Sequence, residues 1–375
     1  MQTKIIKLDP AKIEAAEIKE AAQVVDAGGL VAFPTETVYG IACRAENTSL
    51  VKLDNLKGRD LNKRYTLHIG QKADVAKYAP AVGLRAQKLI KNAWPGPLTI
   101  VFELAERDIE QQQKIFKKEV FVRLYRDNSI GIRCPDNAIA AMLLQTTKYP
   151  VVAPSANVTG QPPATNANQV LTQFLGQIDL LLDAGPCKYK KSSTVVKIGK
   201  KGLKILRAGV YSKAELEARS EVKFLFVCTG NTCRSPMAKG IFCKYLAEKL
   251  QCGVDQLDKI GYKISSAGVM NIAGSPASAE AIAACAAKGI DIKAHKSKTL
   301  TRQLVEESDF IFAMTQTHCE RVNALSTEPG AADKCILLGG DKEIPDPIGQ
   351  SQEVFNHCAG LIEEAVRERI SELWI

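Results

Sequence analysis

The sequence predicts an α/β protein of two domains, the second a doubly wound parallel sheet of four strands. Three observations carry that prediction. A chain of 375 residues with 46% hydrophobic content is long enough to bury more than one core. From residue 222 onward, short apolar runs alternate with stretches of helical period, as parallel strands joined by crossover helices do. The run Phe226-Val-Cys-Thr-Gly-Asn-Thr-Cys-Arg-Ser235 then reads as the end of a buried strand, a tight loop and the first turn of a helix. Open α/β sheets place ligands at such a corner.

Composition narrows the class. No run reaches the roughly 18 apolar residues of a membrane span, and Met1-Gln-Thr-Lys-Ile-Ile-Lys-Leu-Asp-Pro10 lacks the shape of a signal peptide. A cytoplasmic protein with no membrane partner is expected. The 11 cysteines are odd in number and contain no C-x-x-C pair, which fits reduced thiols. The histidines make no zinc spacing with them, so no protein-held metal is expected, and His318-Cys319 and His357-Cys358 read as helix residues. A net charge of +9 suits anionic partners such as nucleotides, phosphoproteins or RNA.

In the first half, residues 13–27 predict a helix stopped by Gly28-Gly29. The strand Leu30-Val-Ala-Phe33 delivers Pro34-Thr-Glu-Thr-Val-Tyr-Gly40, a loop presenting Thr35 and Glu36 at a strand end. Residues 49–56 predict a helix ending near Lys57-Gly-Arg59, two cations that read either as solvated surface charge or as a pair aimed at one anion. The strand Tyr65-Thr-Leu-His-Ile69 carries His68, by default a satisfied polar residue. Trp94-Pro-Gly-Pro-Leu-Thr-Ile-Val-Phe102 is a turn and a strand, and Arg133 lies on a strand ended by Pro135. Val151-Val-Ala-Pro-Ser-Ala-Asn157 is a strand and a polar loop, with Ser155 and Asn157 at alternate positions facing one way. Ser193-Thr194 opens a further strand, and Leu206-Arg-Ala-Gly209 closes the region.

Taken in order, these motifs resemble the YrdC/TsaC family of L-threonylcarbamoyladenylate synthases over residues 4–210. The resemblance implies a twisted mixed α/β sheet around a positively charged cavity, and a domain over residues 1–209. It implies ATP, L-threonine and bicarbonate as substrates, Mg²⁺ with the ATP, pyrophosphate release, and a place in N6-threonylcarbamoyladenosine modification of tRNA. Other tRNA-modification proteins and tRNA itself are the partners it suggests. Carried over by residue, Lys57, Arg59, Ser155, Asn157 and Arg207 correspond to the ATP-binding set, and Thr35, His68, Arg133 and Ser193 to threonine binding. Such chemistry needs positioning and charge neutralisation, with no protein nucleophile, and no G-x4-G-K-[ST] loop occurs. Asp60 and Arg64 depart from the family by standing where it often has prolines, and residues 190–192 lack its usual glycine.

Residues 210–221 are polar with alternating charge and read as a linker. Beyond it, strands are expected at 223–227, 262–268, 309–314 and 335–338, with helices at 237–251, 278–288, 315–323 and 352–374. In the opening loop, Cys228 sits at a ring of backbone N–H groups and a helix N-terminus, with Arg234 six positions on. Those dipoles and the cation predict a readily ionised thiolate and a phosphate cradle. With Ser266-Ala-Gly268, His295-Lys-Ser297, Ala313-Met-Thr315 and Pro345-Asp-Pro347, the half resembles the low-molecular-weight protein tyrosine phosphatases over residues 222–375. The resemblance implies a phosphatase I-like sheet, a phosphorylated protein substrate, no cofactor, Cys228 as nucleophile, Arg234 as phosphate clamp and Asp346 as general acid. Thr229, Gly230, Asn231, Thr232, Cys233 and Ser235 would complete the phosphate loop, with Cys233 either packing or forming a reversible disulfide with Cys228. Thr232 stands where tyrosine-directed members carry an aliphatic residue, which resembles the protein-arginine phosphatases. Ile348 and the aromatic-free residues 269–277 likewise favour phosphoarginine over phosphotyrosine. The expectation is a bifunctional enzyme. The alternative is a phosphotyrosine phosphatase whose first half binds RNA or nucleotide without catalysis.

Overall fold

In the first half, the short apolar runs pair into one mixed sheet of eleven strands. The structure, a computed structural model, describes residues 2–199, 202–326 and 334–373. Along the sheet the order is Lys4–Lys7, Leu180–Asp183, Val31–Phe33, Gly40–Arg44, Val151–Val152, Leu67–His68, Ser129–Arg133, Leu98–Glu103, Thr194–Gly199 and Gly202–Arg207. Tyr125–Arg126 pairs beside Ser129–Arg133. Pairing is parallel at some seams and antiparallel at others, as the resemblance implied.

The sheet is buried on both faces. Val31 and Phe33 pack with Ile18, Val25, Ile139 and Leu143 on one side. Ala32 and Ile41 pack with Leu53, Leu89 and Ile100 on the other. This two-sided burial explains why Val31–Phe33 is continuously apolar. The first helix, Ala15–Asp26, is slightly shorter than expected, and the second, Asn47–Lys57, slightly longer and capped by Gly58 at φ +57°. The helices Leu84–Ala93, Glu106–Ile115, Lys118–Leu124, Ala138–Thr146 and Ala167–Phe174 were not singled out in the sequence.

The chain divides into units of residues 1–220 and 221–375. Residues 210–220, expected as linker, belong to the first unit. There Lys213–Ser220 is a helix whose Leu216 is fully buried, and Arg85 Nη2 donates to Ser220 Oγ at 2.6 Å. One apolar residue within the charge alternation is enough to give this short helix a buried face.

The second unit is a parallel sheet of four strands in the order Tyr262–Gly268, Val222–Cys228, Phe310–Ala313, Cys335–Leu337. On one face Phe224, Phe226, Phe242 and Phe312 interlock, with ring centroids 4.8 Å apart for Phe224–Phe242 and 5.3 Å for Phe226–Phe312. On the other, Leu225, Val227, Ile311 and Ala313 pack with Val305 and Val322. The closing helix is Gln352–Glu372; its predicted end at Trp374 lies outside the described residues. No described helix is long and apolar enough to cross a membrane.

Candidate active sites

In the first unit, strand register builds a cavity wall. His68 pairs with Arg133, Arg133 with Thr99, Thr99 with Val195, and Val195 with Arg207. Directly paired residues project to the same face of a sheet. This row of five lines a cavity of about 450 Å³, together with Thr35, Arg59, Lys63, Arg64, Tyr65, Ser155 and Ser193. Residues spread from 35 to 207 thus meet at one place.

Five of the lining residues are cations, namely Arg59, Lys63, Arg64, Arg133 and Arg207, and none of the described lining residues is acidic. Three of the four arginines are held from behind. Arg133 Nη2 donates to Glu36 Oε1 (2.8 Å) and Thr37 Oγ1 (2.6 Å), and Glu36 Oε2 also accepts from the Asp136 N–H. Arg207 Nη2 donates to the Ser193 carbonyl (2.9 Å) and hydroxyl (3.0 Å). Arg59 lies 4.3 Å over the Tyr65 ring, whose hydroxyl donates to Asp54 at 2.6 Å. Asp54 is also paired with Arg123. The buried Nε atoms of Arg59, Arg64 and Arg133 have no protein partner. His68 Nδ1 lies 3.2 Å from the Thr66 carbonyl and donates to it, leaving Nε2 as an acceptor. Burial and then Arg133 push His68 down to about 3, so it is neutral near pH 7.

Thr35, Arg59, His68, Arg133, Ser155, Ser193 and Arg207 therefore converge as expected. Lys57 and Asn157 do not line the wall. Lys57 ends its helix, and its Nζ donates to the Ser155 carbonyl at 2.5 Å and to that of Asn157. Ser155 and Asn157 are in a loop beyond the two-residue strand, not at alternating strand positions. Asn157 Nδ2 donates to the Val158 and Gln161 carbonyls, and Oδ1 accepts from Ser155 Oγ at 2.6 Å. Both side chains shape the loop that presents Ser155. Burial, then the neighbouring Arg59 and Lys63, lower Lys57 to about 7. Tyr65 and Thr99 line the wall but were missed as site residues, because each sits in an apolar run that reads as core. Arg64, a departure from the family pattern, adds a cation to the cavity.

In the second unit, the central strand ends at Cys228, and the helix Arg234–Leu250 begins at the arginine. Between them Asn231 takes φ +55° and organises the loop. Its N–H points at Cys228 Sγ (3.3 Å), Nδ2 donates to Ser235 Oγ (2.8 Å), and Oδ1 accepts from the Lys298 N–H (2.8 Å). Its carbonyl lies 2.7 Å from His295 Nε2. Ser235 Oγ accepts from Asn231, so its own proton is directed to the sulfur at 2.9 Å. Gly268 on the neighbouring strand allows this close approach, since a Cβ there would stand 2.7 Å from the Thr229 carbonyl oxygen. Arg234 Nη2 donates to Thr229 Oγ1 (3.1 Å) and pairs with Asp346, and Nη1 donates to the Ile344 carbonyl (3.2 Å).

One expectation is corrected. Burial raises the Cys228 thiol, against the opposing pull of Ser235, Arg234 and the Asn231 N–H. The sulfur is nearly inaccessible and Arg234 shares its charge with Asp346, so the cradle offsets desolvation without overcoming it. All 11 cysteines are free thiols, and Cys233 Sγ lies 3.6 Å from both Ser278 Oγ and Thr232 Oγ1.

These two geometries agree with comparisons to known proteins. A family profile described as "Telomere recombination" matches residues 23–209, and one described as "Low molecular weight phosphotyrosine protein phosphatase" matches residues 223–374. The threonylcarbamoyl-AMP synthase of Pyrococcus abyssi is 30% identical over 259 residues, 68% of this chain and 72% of that one. The low molecular weight protein-tyrosine-phosphatase Etp of Escherichia coli K12 is 35% identical over 155 residues, 40% of this chain and 95% of that one. The chain belongs to both families. Its halves are an enzyme pair, a synthase unit and a phosphatase unit. The threonylcarbamoyl-AMP synthase of Bacillus subtilis is 32% identical over 203 residues, and the match spans 56% of its length. A solved structure of P. abyssi Sua5 shares the fold at a TM-score of 0.52 and 23% identity, covering 71% of this chain and 91% of that one.

Proposed function

We propose that the synthase unit condenses L-threonine, bicarbonate and ATP into L-threonylcarbamoyladenylate with release of pyrophosphate, as a step toward tRNA modification. The observation that carries this is the five-cation cavity without a nucleophile. The threonine amine attacks bicarbonate to form a carbamate with loss of water, and a carbamate oxygen attacks the α-phosphorus while the bond to pyrophosphate breaks. Arg59, Arg64 and Arg207 neutralise the phosphate charge, and Ser155 donates to a phosphate oxygen once its hydroxyl turns from Asn157 Oδ1. Arg133, Thr35, His68 and Ser193 orient the threonine. No group of three or more potential metal ligands occurs among the described residues. Mg²⁺ therefore fits as an ion carried by the nucleotide's own phosphates. Pyrophosphate release from ATP that depends on both threonine and bicarbonate tests this reading; its absence in the intact chain would overturn it.

For the phosphatase unit, the supporting observation is Cys228 set between Ser235 and Arg234, with Asp346 across the loop. Cys228 passes its proton to an oxygen of the incoming phosphate dianion and attacks phosphorus as the thiolate, and Asp346 protonates the leaving group as its bond breaks. Asp346 then takes a proton from the water that hydrolyses the cysteinyl-phosphate. The preferred substrate is phosphoarginine in a protein. Thr232 gives the loop a polar, half-buried hydroxyl, and residues 269–277 offer no aromatic wall for a phenyl ring. Phosphotyrosine is the second reading, favoured by the tyrosine-phosphatase names that the similar protein and the family profile carry. Turnover of matched phosphoarginine and phosphotyrosine proteins separates them.

A further inference from the structure

His318 looks like an ordinary helix residue in sequence, yet it is buried against the phosphate loop at 4% exposure. Its Nε2 lies 3.0 Å from Thr229 Oγ1, and its Nδ1 lies 2.8 Å from Thr315 Oγ1. Thr229 Oγ1 also accepts from Arg234 Nη2 at 3.1 Å. A hydroxyl carries one proton. A hydroxyl oxygen has two acceptor positions; with Arg234 on one of them, the arrangement that gives the Thr229 proton a partner among the hydrogen bonds of the described residues is donation to His318 Nε2. The imidazole proton then sits on Nδ1 and donates to Thr315. Burial and the adjacent Arg234 lower His318 to about 4, against the smaller opposing pull of Asp346 and Glu343, which agrees with a neutral ring.

We infer that His318 is a positioning residue for the phosphatase, and that its Nε2 lone pair fixes the Thr229 hydroxyl, which in turn fixes the Arg234 guanidinium at the phosphate site. The inference rests on the phosphatase reading above. The polarity runs in one direction: Arg234 N–H to Thr229 oxygen, Thr229 O–H to His318 Nε2, His318 Nδ1–H to Thr315. Removing the Nε2 acceptor leaves the Thr229 proton without a partner, and the hydroxyl can turn away from Arg234.

The test uses the full chain. Glutamine places an acceptor where Nε2 lies, whereas asparagine reaches only the Nδ1 position. His318→Asn should lower kcat roughly tenfold and weaken inhibition by inorganic phosphate to a similar degree. His318→Gln should recover most of that loss. Thr229→Val should show a comparable defect, and adding His318→Asn to it should cost nothing further. Nitrogen-15 NMR of the wild type should show His318 as the neutral Nδ1–H tautomer. Equal defects in the asparagine and glutamine variants, additive losses in the double variant, or an Nε2–H tautomer would each overturn the inference. The tautomer and the phosphate affinity are read without turnover. They stay interpretable if Cys228→Ser retains hydrolysis, a result that would sink the phosphatase reading instead.

Discussion

On the functions proposed above, the two centres would grip phosphate in opposite ways. The synthase cavity gathers charged side chains from strands and loops far apart in sequence, and three of its four arginines are braced by a group behind them: Glu36 for Arg133, Tyr65 for Arg59, Ser193 for Arg207. The phosphatase cradle is eight consecutive residues, Cys228 to Ser235, which carry the proposed nucleophile Cys228, one side-chain cation, Arg234, and the Asn231 N–H aimed at the sulfur. Where the protein supplies only positioning, charge can come from anywhere the fold brings together. Where a protein atom must attack, nucleophile and clamp share one rigid loop. Loss of a single residue should accordingly be graded in the cavity and near-total in the cradle.

The sharpest test of that contrast is Cys228→Ser, which should lower protein-phosphate hydrolysis by at least about 10³-fold. Threonine-dependent pyrophosphate release, measured on the same sample, should not change. Asp346→Asn should slow turnover by roughly 10²- to 10³-fold for poor leaving groups, and much less for an activated aryl phosphate. Equal losses on both substrates would argue that Asp346 holds Arg234 and does not donate a proton. In the cavity, Arg133→Ala should reduce pyrophosphate release by about 10²-fold. It should also destabilise the synthase unit by about 3–5 kcal/mol in urea, because it strands a buried Glu36 carboxylate. Arg133→Ala/Glu36→Gln should return much of the stability without the activity, and failure of that rescue would remove the bracing argument.

Smaller effects refine the picture. Thr232→Ile should shift preference toward phosphotyrosine by several-fold in kcat/KM ratio, on the scale of one pocket contact; an unchanged ratio would break the link between Thr232 and substrate. Lys57 should leave a trace in stability against pH. Its folded value, about 7, lies below that of an unfolded lysine. Between the two, the unfolded chain binds the additional proton, so stability rises with pH from about 7 toward the ordinary lysine range. Urea midpoints at pH 7 and 9 should separate more for the wild type than for Lys57→Met.

The sequence revealed the two centres unequally, for the same physical reason. Cys228, Arg234 and Ser235 are legible as a unit because the loop's function is local, and strand, turn and helix are written in ten neighbouring residues. Arg133 or Ser193 alone carries no signal. Only the ordered set of motifs pointed to the cavity, and the register row from His68 to Arg207 becomes visible only when the strands pair. Supporting residues were the least legible. Tyr65 and Thr99 resemble core, His318 resembles a helix surface, and the directions of Lys57 and Asn157 are set by the loop carbonyls they satisfy. The linker was misread because a single buried leucine, Leu216, outweighs the surrounding charge.

Gly268 carries a consequence for protein engineering. Any side chain there would gain roughly 0.5–1 kcal/mol of backbone entropy over glycine in a strand, yet a Cβ would stand 2.7 Å from the Thr229 oxygen. The sheet and the loop ask for different residues at one position. The clash is with loop backbone and outweighs that gain, so a screen for thermostability and a screen for turnover would both hold glycine at position 268.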